Sequence, residues 1–70
     1  MKEIIFIEHA EKRRKQRGYI PFEIECIIER PMTKRKRPDG RTEISGRINN
    51  KHIKIVYEEK ENYLKVVTII

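Results

Sequence analysis

The order of apolar and charged segments along this chain predicts an α+β fold, with two N-terminal helices packed on one face of a mostly antiparallel sheet in the order β-α-α-β-β-β-β. Three observations carry that expectation. A short apolar run opens the chain, two helix-like segments closed by Gly18 and by Arg30-Pro31 follow, and the second half alternates apolar and polar residues between turn signals. The whole of 1–70 reads as one domain, without repeat or linker.

Residues Lys2 to Ile7 read as the first strand, since Ile4, Ile5, Phe6 and Ile7 form a β-branched and aromatic run between Glu3 and Glu8. Their unbroken apolarity predicts burial on both faces. The next segment, from His9 to Arg17, reads as a helix that stops at Gly18, the residue best suited to a left-handed position after a helix. Pro21 opens a second helix at its first position, with Glu23 and Glu25 near its positive end. Ile20, Ile24, Ile27 and Ile28 form its apolar stripe, Cys26 beside them reads as a small buried hydrophobe, and Arg30 before Pro31 ends it.

The segment from Met32 to Arg37 carries charge on both faces, which suits an edge strand, and Pro38-Asp39-Gly40 signals a turn. From Arg41 to Ile48, Ile44, Gly46 and Ile48 alternate with Glu43, Ser45 and Arg47, a half-buried strand. Asn49-Asn50 tolerate positive φ, and Ile53, Ile55 and Tyr57 alternate through the next strand, so the pair should form a hairpin. Tyr63 to Ile70, apolar on both faces, is expected at the centre of the sheet.

Seventeen Lys and Arg against eleven Asp and Glu give a formal net charge of +6, which favours a polyanionic or acidic partner. A lone cysteine excludes an internal disulfide, and with two distant histidines it does not make a zinc site, so neither metal nor cofactor is expected and a reducing cytoplasm fits best. The stretch from Met1 to Ile7 is too short for a signal peptide or a membrane span.

The basic helix holds the most pointed chemistry. Ala10 is its one apolar residue, whereas His9, Arg13 and Arg17, spaced i, i+4, i+8, fall in a row that matches phosphate. Metal-free RNA cleavage needs a base for the 2′-hydroxyl, cations for the phosphate and an acid for the leaving oxygen. His9 suits the acid-base task, and Arg13 and Arg17 suit the clamp. Arg41 and Lys54 would add a second cationic wall if their hairpin faces the helix, and Arg35 and Arg37 a further phosphate contact if residues 34–37 face the same way as 12–17. Plain alternatives stand beside these. In these, Arg13 and Arg17 pair with Glu8, Glu11 or Glu25, His9 only bonds locally at a helix start, and Tyr57, which would stack a base at the surface, packs in the core with the isoleucines it alternates with.

The segment His9-Ala10-x-x-Arg13-x-x-x-Arg17-Gly18, the helix ending in Arg30-Pro31, the Gly40-Arg41 turn and the closing Val66-Val67-Thr68 together resemble a small family of the RelE-like toxin superfamily. The resemblance implies a scaffold whose characterised members are toxins of toxin-antitoxin pairs, cut RNA without a metal, often on the ribosome, and are silenced by an antitoxin. His9, Arg13 and Arg17 match the family's shared motif, with His9 and Arg17 the catalytic candidates and Arg13 a phosphate contact, and Arg41 matches a commonly basic position; the partners the resemblance implies are RNA, free or ribosome-bound, and an acidic antitoxin, and no membrane is expected. The chain departs in ending Thr68-Ile69-Ile70, where several active members carry a tyrosine. That departure favours the alternative, a non-catalytic basic module that binds nucleic acid or an acidic protein.

Overall fold

A computed structural model describes residues 2–70; Met1, first residue of the segment judged too short for a signal, lies outside them. The elements run β1 (Glu3–Phe6), α1 (Glu8–Arg17), α2 (Pro21–Glu29), β2 (Thr33–Lys36), β3 (Thr42–Ile48), β4 (Lys51–Glu59) and β5 (Tyr63–Ile69). The five strands form one sheet in the order β1-β5-β4-β3-β2, parallel only between β1 and β5. The predicted class and element order hold.

Both helices cover one face of the sheet, α1 over β5 and β1, α2 over β3. The core between them gathers Ala10, Tyr19, Ile24 and Ile27 from the helical half and Ile44, Ile53, Ile55, Tyr57, Leu64, Val66 and Ile69 from the strands. Local chemistry closes each element. Gly18 sits at φ +74, its N–H donating to Lys15 O while Tyr19 N–H donates to Arg14 O, and this cap delivers Tyr19 into the core. Glu23 accepts the Ile20 N–H that the start of α2 leaves free. Asn49 and Asn50, at φ 51 and 68, make the two-residue turn between β3 and β4. At the β2–β3 turn Gly40 N–H donates to Arg37 O, and Asp39 accepts the Arg41 N–H.

The expectations for β1, Cys26 and Ile20 give way. β1 is not buried on both faces; it is an edge strand whose Ile5 stays 40% exposed, because among the described residues only β5 flanks it and no layer covers its outer side. β5 is interior as expected, flanked by β1 and β4, with β4 the middle strand, and a register shift opposite Val56 and Tyr57 turns Val66 and Ile69 inward together. Cys26 is exposed, since α2 turns Ile24 and Ile27 to the sheet and leaves Cys26 on its flank. Ile20, at the cap, is exposed as well.

Candidate nucleic-acid interface

Helix α1 is held by few side chains. Ala10 is its only buried residue, and Arg14, one turn on, reaches beneath the helix instead of out to solvent. The Arg14 side chain is only 12% exposed; Nη1 donates to Tyr19 O at 2.6 Å, Nη2 bonds Glu11, and the guanidinium lies 5.7 Å from the Phe6 ring centroid. That Arg14 hydrogen bond, with its charge and that of Lys15, holds the Glu11 carboxyl below its ordinary range. One arginine of the basic run is therefore structural.

With Arg14 anchored, His9, Arg13 and Arg17 run along the flank of α1. His9 and Arg13 line a shallow hollow of about 300 Å³ with Lys12 and Gln16, and Arg17 lies exposed one turn beyond it. Lys15 approaches Glu11 at 3.9 Å, but among the described residues no carboxylate comes within ion-pair distance of Lys12, Arg13 or Arg17. The pairing of Arg13 and Arg17 with Glu8, Glu11 or Glu25 is absent.

The sheet does not add the expected wall. Residues opposite one another in a ladder point to the same side, so Ser45, Lys54, Arg47 and His52 project from the face away from the helices, while Ile44, Gly46, Ile53 and Ile55 face α2. Lys54 lies on that open face. Arg41 does too, bonded through Nε to Glu58 Oε2 at 3.2 Å, with Lys65 2.9 Å and Lys60 3.7 Å from Oε1. The Lys65 hydrogen bond first, then that of Arg41, lowers the Glu58 carboxyl to about 2. The condition set for Arg41 and Lys54, that they face the helix, is thus not met, because their hairpin spends its inward positions on isoleucine.

Nor do Arg35 and Arg37 share a face with α1: Arg35 stands opposite Glu43 on the open face, with Arg37 in the same phase, while Lys34 and Lys36 alternate to the helix side. β2 is the edge strand three places from β5, about 14 Å at ordinary strand spacing. There Arg35 lies 3.6 Å from Glu43 and Arg37 3.5 Å from Asp39. Tyr57 is buried on the helix side, as its alternation with isoleucine favours, and is not free to stack a base.

One basic residue was not singled out in advance. Arg47 pairs across the hairpin with His52, beside Lys54, and all three are exposed without an ion pair among the described residues. The two-residue Asn49-Asn50 loop sets the 47–52 and 45–54 register, so that cluster was readable from the sequence. Among the described residues no group of His, Cys, Asp and Glu is placed to hold a metal ion, and no helix is long and apolar enough to cross a membrane. No family model, curated protein or solved structure matches this chain.

Proposed function

We propose that this chain is a RelE-like RNA-binding domain that holds phosphate along the flank of α1. The observation that carries the reading is the set Lys12, Arg13 and Arg17, three cations free of carboxylate partners among the described residues, on a helix that buries only Ala10. Each free guanidinium has a planar fork of donors to offer a phosphate, and no carboxylate must be displaced first.

Cleavage, where it occurs, falls to His9. Its imidazole borders the same hollow as Arg13, next to where a bound phosphate would lie. In such a reaction the 2′-oxygen loses its proton to the base, bonds to phosphorus and expels the 5′-oxygen, leaving a 2′,3′-cyclic phosphate. A specific observation favours the second reading, a non-catalytic basic module. The hollow is lined by His9, Lys12, Arg13 and Gln16, so beside His9 only the Lys12 ammonium could protonate the leaving oxygen there, and an ammonium is a much weaker acid than an imidazolium.

End-labelled RNA, free and in translating ribosomes, separates the two when incubated with the wild type and with His9→Ala and Arg17→Ala. Cyclic-phosphate products that vanish in both variants support a ribonuclease, and a toxin silenced by an acidic antitoxin. Retarded but intact RNA, with retardation lost in Arg17→Ala, supports the binding module. RNA bound equally by all three proteins would remove α1 from the interface.

A further inference from the structure

On the other helix, a second surface combines three features that no phosphate site requires. A cleft of about 470 Å³ opens between α2 and the far end of β3. Phe22 and Cys26, one turn apart on α2, form one wall and Ile48 part of the other, with Met32 at one end; Phe22 and Met32 are 66% and 61% exposed, among the most exposed large apolar residues of the chain. Exposed apolar side chains that converge on one cleft mark a contact surface, unlike the same residues scattered singly.

The second feature is a short free strand edge. Arg41 O accepts from Arg37 N–H and Ser45 O from Met32 N–H, so the odd-numbered residues of β3 turn their backbone groups toward β2. The ladder with β2 ends at Thr33 opposite Ser45, while β3 continues to Ile48. Arg47 is next in that phase, and among the described residues its N–H and C=O have no strand beside them. The third feature is charge. Arg30 lines the cleft and Arg47 stands at its rim with its side chain on the open face; neither has an ion pair among the described residues, and a second copy of a chain with net charge +6 would bring the same cations against them.

We infer that this cleft receives an extended segment of a partner protein in which apolar and acidic side chains alternate. The segment adds to the β3 edge at Arg47, exchanging backbone hydrogen bonds there. Because successive side chains of a strand point to opposite faces, its apolar residues enter the cleft against Phe22 and Met32 while the intervening carboxylates meet Arg47 on the open face; Arg30 takes a carboxylate at the end of α2. This surface is separate from α1, and the inference does not rest on RNA binding.

Selection from a random-peptide library on the purified full chain tests it, followed by titration of an enriched peptide and its lysine-for-glutamate counterpart. Phe22→Ser and Arg47→Glu change exposed side chains, and circular dichroism checks that both variants remain folded. The expected result is enrichment of alternating apolar and acidic residues, affinity reduced about tenfold or more in each variant and for the lysine peptide, and a shift of the Arg47 amide resonance on binding. Failure to enrich any motif, or peptides that bind both variants as tightly as the wild type, overturns the inference. So does a dimer of the free chain that both variants dissolve, since the cleft would then serve a second copy.

Discussion

Within α1, four consecutive cations of similar composition have different tasks. Arg14 is pinned by Tyr19 O, Glu11 and the Phe6 ring, whereas Arg13 beside it carries no ion pair among the described residues. Removing a largely buried guanidinium leaves the Tyr19 carbonyl and the Glu11 carboxylate short of a partner, at a cost of about 2–3 kcal/mol. Arg14→Ala should therefore lower the urea midpoint clearly, while Arg13→Ala should stay within about 0.5 kcal/mol of the wild type. Equal losses would show that the two arginines share one structural role. The sequence alone does not separate them, because Arg14 is chosen by Ala10 one turn earlier and by Phe6 arriving from β1, and the second is a tertiary contact. Gly18 was legible for the opposite reason. A left-handed residue after a helix is a local requirement that glycine meets without strain.

At the scale of elements, local pattern foretold what depends on neighbours in sequence and missed what depends on neighbours in space. The alternation of β3 and β4 and their Asn49-Asn50 turn specify the hairpin and its register together. The run of Ile4 to Ile7 is apolar throughout, and nothing local says that β1 will take the edge beside β5 and leave Ile5 outward. Two predictions belong here. A Cβ at Gly46 would lie 2.9 Å from Ile27 Cγ2 and 3.0 Å from its Cγ1, so Gly46→Ala should push α2 off β3 and cost about 1–3 kcal/mol. In an Ile27→Ala background the same change should cost less, and strict additivity in that double-mutant cycle would show that the two sites do not press on each other. The second concerns acid. Glu58 on β4, tied to Lys65 of β5 and to Arg41 at the entry to β3, titrates at about 2 in the folded chain against an ordinary 4.5. A depressed carboxyl binds fewer protons folded than unfolded, so its contribution is present above about pH 4.5 and disappears as the pH falls toward 2. Urea midpoints measured across that window should fall less steeply for Glu58→Gln than for the wild type, and parallel curves would remove Glu58 as a source of acid sensitivity.

Over the whole molecule, the net charge of +6 is spread over three separate regions: the flank of α1, the β2 edge, and the open-face cluster of Arg47, His52 and Lys54. The sequence showed the excess and its clustering in 12–17 and 34–37. It did not show that the sheet would part the two, because that separation follows from a strand order in which β5 returns to lie beside β1 and sends β2 to the far edge. A chain that offers RNA one cationic region at a time should release few counterions, and the salt dependence of binding counts them. For a single strand, log K falls by about 0.7 per decade of salt for each phosphate neutralised, so three contacts through Lys12, Arg13 and Arg17 give a slope near −2. Replacing Arg13 and Arg17 together by glutamine should flatten the slope by about 1.4. The double change Arg35→Gln and Arg37→Gln should leave it nearly unaltered, since those guanidiniums lie beside Glu43 and Asp39 at the opposite edge of the sheet. Filter-binding titrations of one short RNA across a salt series measure both slopes. If the two double variants flatten it equally, the RNA runs across the sheet from α1 to β2, and the molecule binds with its whole width.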